Sequence, residues 1–503
     1  MQQSVSQKYR VTAMILLPVV VLSAGLYSSL SRSLWYDEAL TVLEFLPLPS
    51  YRQIYLSYEI PNNHIAYTML LRCWTDSVGA LIPAAVASAR LLSCILAAMA
   101  TLYISWSWRR RVGRVLASLG GVVFALAFPL DIYGGAIRGY ALSLLAGVAG
   151  LHAAVLISEN RVRVGAPLYA GAAILAVATL PSNLLFFAAL APYLLMSRGQ
   201  STVRKIGLAA LPFAGILFYI PILHKLSRVL LSKQGWPSAA GCLWHLYGST
   251  AAILLPLVAL AGTGLALWLR AGHRTPRDCA MLVLLLAATV LPLAVIVALR
   301  PSPFPRVFLI FLPLWIYLGV HATRKWSAWL RRQQCRWSLP AQIAAVVLIA
   351  GWGLALHPVR PALAHLFSGD NGRDDLVLPY YLVNFNPEGV VERVAELRHS
   401  HTNLQAFIMV DADPLSLLFA SRLRRLPDDI WLFDKPKRRL QARDFSTSDK
   451  YAVARTLADA QSLCERFHLG GYFLLAQDYG FQKLYVRVEE PDHLHQAPVV
   501  DRK

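Results

Sequence analysis

Two adjacent carboxylates, Asp37 and Glu38, stand in a long apolar stretch that holds few other acidic residues. Residues 1–357 contain eight of the 28 acidic residues but 29 of the 48 lysines and arginines. An ionised carboxylate next to a membrane costs free energy and is usually kept for function. Such a pair can accept a proton or position a substrate. The alternative is a structural pair that complements the dipole at a helix start.

A second polar group, the segment Pro61-Asn62-Asn63-His64, follows Asp37 and Glu38 along the chain. Asn62 or Asn63 could cap a helix, since asparagine is favoured at that position. His64, with an amide on each of the two preceding residues, could instead orient a polar ligand. Both interpretations remain open at this point.

Arginines stand at the outer mouths of two apolar spans. Arg138, with Tyr140 close behind it, lies between two spans, and Arg306 begins another. Snorkelling of a long side chain to the interface is the structural alternative. A binding site for an anion is the functional one, because the planar guanidinium matches phosphate oxygens. Further cations on the same side, which suit a lipid phosphate, are Lys225, Arg228, Lys233 and Arg300.

The elements that must position these residues are membrane helices. The chain is 56% hydrophobic with a mean hydropathy of +0.48, and many apolar runs reach the roughly 17–25 residues that span a bilayer. We predict a mainly α, polytopic membrane protein of about eleven transmembrane helices. The predicted spans lie near residues 11–30, 84–107, 115–131, 138–157, 166–181, 183–197, 206–223, 247–269, 280–299, 306–322 and 340–357.

The distribution of basic residues predicts the orientation. Of the 29 in residues 1–357, 19 fall in alternate loops that the positive-inside rule places in the cytoplasm. The N-terminus is then cytoplasmic, and eleven spans put the C-terminus outside. This rule also accounts for the net charge of +20 without a nucleic-acid partner. The six cysteines are scattered and form no zinc or disulfide pattern.

The chain divides into two predicted domains, residues 1–357 and 358–503. The first is the transmembrane module, with residues 31–80 as an outer loop that carries surface helices. In the second, charges of both signs mix and apolar runs shorten to strand length, which is typical of a small α/β domain. The runs are Ala406–Val410, Ile430–Phe433, Tyr472–Ala476 and Leu484–Val488, and the helix-like patterns are Pro387–His399 and Pro414–Leu423.

The order of these motifs resembles the GT-C membrane glycosyltransferases, in the bacterial branch related to protein O-mannosyltransferases and lipid A aminoarabinose transferases. The motifs that carry the resemblance are Trp35-Tyr36-Asp37-Glu38, Pro61-Asn62-Asn63-His64-x-x-Tyr67, Arg138-Gly139-Tyr140-Ala-Leu and Pro305-Arg306-Val-Phe-Leu. It covers roughly residues 10–325. Two departures bear on donor specificity: Ala136 replaces an acidic residue, and Asn62 and Asn63 replace a double proline.

The resemblance implies a multi-pass enzyme of the inner (plasma) membrane that transfers a hexosyl or pentosyl group from a polyprenyl-phosphate donor to an envelope glycan, lipid or protein. Asp37 would be the general base, assisted by Glu38. Donor-binding residues would be Asn63, His64, Tyr67, Arg138, Tyr140 and Arg306. No cofactor is firmly implied, and a divalent metal ion is left open.

Two alternatives come from other functional classes. A transporter or flippase for an anionic lipid would also use outer-face arginines, although charges near the bilayer midplane are more typical of transporters. A non-catalytic membrane scaffold for polysaccharide assembly would use the C-terminal domain as its working part. The Asp37-Glu38 pair favours the enzyme over both.

Overall fold

A computed structural model gives the fold. It describes residues 33–58, 63–78, 85–127, 133–197, 199–231, 238–270, 276–299, 302–332, 386–400, 406–408, 414–426, 431–432, 451–454, 457–467, 472–479 and 482–488, and single positions or short pieces of 18–30, 130 and 344–355. The chain forms two compact units. We call Met1–Arg32 with Glu44–Tyr380 the membrane unit, and Ser33–Leu43 with Tyr381–Lys503 the α/β unit.

The described part of the membrane unit consists of helices. They are α2 (Tyr51–Leu56), α3 (Ile65–Ser77), α4 (Ala85–Val112), α5 (Arg114–Leu126), α6 (Tyr140–Ser158), α7 (Val162–Thr179), α8 (Leu184–Leu195), α9 (Thr202–Ala210), α10 (Leu223–Leu231), α11 (Ala239–Leu243), α12 (Ser249–Ile253), α13 (Leu255–Arg270), α14 (Pro276–Ala298) and α15 (Leu312–Arg332). Three segments are 3-10 helices: Pro181–Asn183, Leu211–Ile222 and Pro305–Phe311.

Six helical stretches among the described residues are long and apolar enough to cross a membrane. They are Val86–Val112, Tyr140–Ser158, Val162–Thr179, Thr202–Arg228, Asp278–Ala298 and Pro305–Trp329. Two further predicted spans correspond to the shorter apolar helices Arg114–Leu126 and Pro181–Leu195. The predicted spans 11–30 and 340–357 lie largely outside the described residues. The count of eleven and the orientation therefore stay predictions.

The predicted span 247–269 is divided in the structure. A π-helical turn, Trp244–Gly248, leads into α12, which ends at Ile253, and α13 begins at Leu255. The break has a local cause in Pro256, because proline lacks an N–H and its ring crowds the preceding turn. Proline is tolerated in the first turn of a helix, so α13 can start there.

Helix α6 lies at the centre of the described membrane unit. Of its apolar stretch, 78% is buried inside the protein. The helix packs against α4, α7 and the 3-10 helix Pro305–Phe311. The first-loop helix α3 packs against α4 and α7. These contacts bring the start of α3, the start of α6 and the 3-10 helix into one neighbourhood.

The α/β unit contains a five-stranded sheet in the order β2-β1-β3-β5-β4. The strands are β1 (Ala406–Ile408), β2 (Trp431–Leu432), β3 (Tyr451–Ala454), β4 (Tyr472–Tyr479) and β5 (Gln482–Val488). β1 pairs in parallel with β2 and β3, whereas β5 pairs antiparallel with β3 and β4. The helices are α1 (Tyr36–Leu40), α16 (Pro387–Ser400), α17 (Pro414–Leu423) and α18 (Leu457–Phe467).

The unit has an apolar core on each face of this sheet. Val390, Leu417 and Val453 belong to one cluster, and Phe407, Leu463 and Tyr485 belong to the other. Adjacent strand residues point to opposite faces, so Phe407 and Ile408 of β1 enter different clusters.

The predicted apolar runs of the C-terminal region lie in β1, β2, β4 and β5. The predicted boundary at residues 357 and 358 falls among residues that the structure does not describe, and it stays a prediction, as does the location of this unit outside the membrane. Sequence inspection did not anticipate that Ser33–Leu43 belongs to the α/β unit.

Candidate functional site

A histidine of the first loop binds the turn that precedes α6. His64 directly precedes α3, and its ring accepts a hydrogen bond at Nδ1 from the main-chain N–H of Gly139, 2.8 Å away. Its Nε2 lies 3.0 Å from Nη2 of Arg138. His64 is 3% exposed and Arg138 is 2% exposed. Two of the predicted site residues are therefore in direct contact although they are 74 positions apart.

Both ring nitrogens of His64 face groups that can only donate, the Gly139 N–H at Nδ1 and the Arg138 guanidinium at Nε2, whereas a neutral imidazole has one acceptor nitrogen. We assign Nδ1 as the acceptor, because its contact is the shorter, 2.8 Å against 3.0 Å. The ring proton is then on Nε2. Burial lowers the pKa of His64 well below its usual 6.5, and the positive charges of Arg138 and Arg306 lower it further. The ring is thus neutral at pH 7 and presents an Nε2–H donor.

Two donors therefore stand side by side in a buried position. The Nε2–H of His64 and the guanidinium of Arg138 are 3.0 Å apart, and neither group offers an acceptor to the other. An oxygen that accepts from both suits this pair, and an anionic oxygen suits it best because of the fixed positive charge. We call this pair the oxyanion site, after the ligand that it suits.

Aromatic rings form one side of this pair. Tyr140, the first residue of α6, meets the His64 ring edge-to-face with centroids 5.1 Å apart. Tyr133 meets Tyr140 in the same manner at 4.8 Å. Such packing limits the rotation of the imidazole ring. The structure thus brings the predicted residue Tyr140 together with His64.

Arg306 belongs to the 3-10 helix that packs on α6. It is the second residue of Pro305–Phe311 and is half-buried. Its guanidinium carbon lies 5.0 Å from the ring centroid of Phe304, a cation–π contact. Its charge lowers the pKa of His64, so Arg306 contributes to the positive potential around the oxyanion site.

Asn63 contacts main-chain groups of the first loop. Its side-chain amide donates to the carbonyl oxygens of Ile54 (2.8 Å) and Ser57 (2.6 Å), and its Oδ1 accepts from the Thr68 hydroxyl at 3.0 Å. It does not cap α3, whose preceding residue is His64. Asn63 therefore fixes the position of His64 through the backbone, and a direct role in ligand binding stays a prediction. Asn62 lies outside the described residues.

Tyr67 joins α3 to α4. Its hydroxyl is 2.7 Å from that of Ser93, and its side chain is fully buried. This hydrogen bond orients α3, which carries His64 at its start. A ligand contact for Tyr67 likewise stays a prediction.

Tyr58 is a residue of this neighbourhood that sequence reasoning missed. It is buried, and burial raises the pKa of its phenol to about 12, while the charge of Arg138 acts to lower it. Its ring packs against Tyr219 at 6.0 Å. The only sequence signal was an aromatic residue in the same loop as His64, and nothing in its spacing connects it with Arg138.

Asp37 and Glu38 form the first turn of α1 in the α/β unit, and both are buried. The Glu38 carboxylate accepts a long hydrogen bond, 3.5 Å, from the main-chain N–H of Trp35. This is the arrangement of an acidic residue that satisfies a free donor at a helix start. The main-chain carbonyl of Asp37 accepts from the Thr41 hydroxyl at 2.9 Å. Glu38 thus has a local structural contact, and a catalytic role for Asp37 or Glu38 stays a prediction.

No three His, Cys, Asp or Glu side chains in the described ranges are grouped so that they could hold a metal ion. The divalent ion left open by the sequence therefore gains no ligand set from this part of the chain.

Comparison with solved structures finds proteins of similar fold. ArnT from Cupriavidus metallidurans in the apo state matches with a TM-score of 0.55 and 16% identity, over 97% of this chain and 100% of that chain. ArnT bound to undecaprenyl phosphate matches with a TM-score of 0.53 and 15% identity, over 95% and 98%. The Archaeoglobus fulgidus oligosaccharyltransferase, in complex with Zn and sulfate, matches with a TM-score of 0.50 and 11% identity, over 92% and 71%.

The chain has the GT-C fold. No protein-family model matches its sequence, and no curated protein matches it. The fold is therefore recognised from the structure, at sequence identities of 16% or less.

Within this GT-C fold, the motif residues divide into two groups. His64, Arg138 and Tyr140 contact one another, and Arg306 acts on His64 through its charge. Asn63 and Tyr67 contact the elements that hold His64.

The close approach of Gly139 to His64 gives a first prediction. A Cβ on residue 139 would lie 2.9 Å from His64 Nδ1 and would overlap the methyl group of Thr179. We expect Gly139→Ala to displace the main-chain N–H from the ring and to lower the free energy of unfolding by about 1–3 kcal/mol, as overpacking does. Thermal unfolding in detergent measures the change.

Gly171→Ala is the matched control, because a Cβ there meets nothing within 4 Å. Alanine in a helix is favoured over glycine by about 1 kcal/mol, so this variant should be as stable as the wild type or more stable. Equal stability of the two variants would contradict the role given to Gly139.

The lowered pKa of His64 gives a second prediction. Below pH 6.5 the unfolded chain binds a proton at this histidine and the folded chain does not, so stability should fall as the pH drops. The slope for one proton is at most about 1.4 kcal/mol per pH unit. We expect His64→Asn, whose amide oxygen can still accept from Gly139, to lose stability less steeply between pH 7 and pH 5.5.

Unfolding midpoints of the two proteins over this pH range measure the slopes. Parallel curves would mean that folding leaves the pKa of His64 unchanged, which would contradict a buried, neutral ring held next to two positive charges.

Proposed function

We propose that the protein is a membrane glycosyltransferase that moves a sugar from a polyprenyl-phosphate donor to a hydroxyl group of an envelope acceptor, at the outer face of the inner (plasma) membrane. The fold supports the class of enzyme, since ArnT, one of the proteins that share it, has been solved with undecaprenyl phosphate bound. A hexosyl or a pentosyl group fits the proposal equally.

The observation that carries the proposal is the pair of donors formed by His64 and Arg138. Both are buried, 3.0 Å apart, and the main chain of Gly139 sets the ring so that Nε2 donates. A phosphate oxygen accepts from both. Arg306 adds a second positive charge nearby, which suits the diester of the donor and the additional charge that develops when the phosphate leaves.

The reaction follows from these roles as a single displacement. Asp37 accepts the proton of the acceptor hydroxyl as its oxygen forms a bond to the anomeric carbon. The bond from that carbon to the phosphate oxygen breaks, and its electron pair stays on the phosphate. Arg138, Arg306 and the Nε2–H of His64 stabilise the leaving polyprenyl phosphate. The configuration at the anomeric carbon is inverted.

Glu38 holds the first turn of α1 through the Trp35 N–H and so orients its neighbour Asp37. Residues Asn63 and Tyr67 hold the start of α3 and its His64. In this proposal they support the site and need not touch the sugar.

Asp37→Asn tests the assignment of the base. Asparagine is close in volume but accepts no proton, and the loss of general-base catalysis typically costs about 10²–10⁴-fold in rate. We expect a loss of transfer in that range, with normal folding and normal binding of the donor. Transfer from a radiolabelled polyprenyl-phosphate sugar by the purified protein gives the rate.

Asp76→Asn is the matched control, since Asp76 is an exposed carboxylate of the same loop that pairs with Arg72 one helical turn away. It should transfer at the wild-type rate. Near wild-type turnover by Asp37→Asn would remove Asp37 from catalysis.

A further inference from the structure

The helix that carries Asp37 is part of the α/β unit, whereas the oxyanion pair belongs to the membrane unit. Ser33–Leu43, which contains α1, forms one compact unit with the C-terminal residues. His64, Arg138 and Arg306 lie in the other unit. The element that holds the candidate base and the elements that hold the oxyanion pair therefore belong to different units.

The first tie within the α/β unit is a hydrogen bond. The Ser33 hydroxyl donates to Oε2 of Glu388 at 2.5 Å, across 355 positions of sequence. A hydroxyl that donates to an ionised carboxylate forms one of the stronger kinds of hydrogen bond in proteins. The backbone around Glu388 is itself held in place. Oδ1 of Asn386 accepts a hydrogen bond from the main-chain N–H of Gly389, the residue after Glu388, at 2.9 Å.

The second tie is apolar packing. Leu43 packs against the core cluster of the α/β unit that contains Val390, Val394 and Leu417. Between the two ties, α1 packs against α17. Its residues Ala39 and Leu40 are buried.

Both ends of the segment around Asp37 are thus held by one domain. Fixing the two ends of an eleven-residue stretch restricts the position and direction of the side chains between them. A general base must be placed within hydrogen-bond reach of the proton that it accepts, and a displacement of about 1 Å can cost on the order of 10²-fold in rate.

We propose that the α/β unit is the positioning element of the catalytic base, with Glu388, acting through Ser33, as a positioning residue. This inference rests on the proposed function. It assigns a role to the C-terminal domain: the domain sets the Asp37 carboxylate and leaves the binding of the donor phosphate to the membrane unit.

The test compares Glu388→Ala with Glu388→Gln in the full-length protein. Alanine removes the acceptor, whereas the glutamine Oε1 can still accept from the Ser33 hydroxyl. For Glu388→Ala we expect kcat to fall about 10- to 100-fold with the KM for the lipid donor unchanged, and we expect Glu388→Gln to recover most of the rate. Ser33→Ala should match Glu388→Ala, and the double variant should lose no more than either.

Hydrogen–deuterium exchange of peptides from residues 33–43 provides a readout that does not depend on transfer. Exchange there should become faster in Glu388→Ala and stay as in the wild type for Glu396→Ala. Glu396 is the matched control, because it is an exposed acidic residue of the same helix whose partner, Arg393, is also in that helix.

Three results would overturn the inference. Exchange in Glu388→Ala could equal that of Glu396→Ala, in which case the Ser33–Glu388 hydrogen bond does not act as a tether for residues 33–43. It could rise evenly through the whole α/β unit, which would make Glu388 a stabiliser of that domain. It could rise locally while kcat stays at the wild-type value, so that the tether does not position a base. Absence of transfer by the wild-type protein itself would instead contradict the proposed function, and the exchange comparison would still test the tether.

Discussion

The main-chain N–H of Gly139 donates a hydrogen bond to Nδ1 of His64, and the properties of the oxyanion site depend on it. This bond decides which ring nitrogen carries the proton, and hence that His64 and Arg138 both donate. It also requires a residue without a Cβ at position 139, since the backbone approaches the ring closely. A buried arginine is ordinarily costly, and the binding of an anion by Arg138 together with His64 gives that cost a function.

The rest of the membrane unit holds the two sides of this hydrogen bond in place. On the His64 side, Asn63 binds the carbonyls at the end of α2, and the Lys225 ammonium donates to the Leu56 carbonyl at 2.8 Å. The Tyr55 hydroxyl donates to the carbonyl of Phe218. On the other side, the start of α6 is buried in the centre of the helices. Hydrogen bonds therefore link parts of the first loop to one another, and they link this loop to the 3-10 helix Leu211–Ile222 that follows α9.

The sequence was sufficient to predict the class of fold, because long apolar runs such as Tyr140–Ser158 leave little alternative to membrane helices. It also pointed to most of the residues of the site, since His64, Arg138 and Arg306 are polar groups at the ends of apolar elements. It could not show that His64 and Arg138 touch, as no local pattern connects residues 74 positions apart. The tautomer of His64 depends on a backbone contact that only the structure reveals.

The same limit applies to the second unit. Short apolar runs predicted strands, yet the pairing of Ser33 with Glu388 spans 355 positions and has no signature in either segment. The division of the chain placed Asp37 in the predicted outer loop, whereas the structure joins that segment to the C-terminal domain. The break before α13 was missed for a simpler reason. The run 247–269 is apolar enough to predict one span, but a single proline, Pro256, interrupts its helix.

An experimental structure of the protein with a polyprenyl phosphate bound would test the oxyanion site most directly. We expect one phosphate oxygen within about 2.6–3.2 Å of both His64 Nε2 and Arg138 Nη2, with the Gly139 N–H still on Nδ1. A phosphate bound elsewhere, or a His64 ring turned away from Gly139, would contradict the oxyanion site.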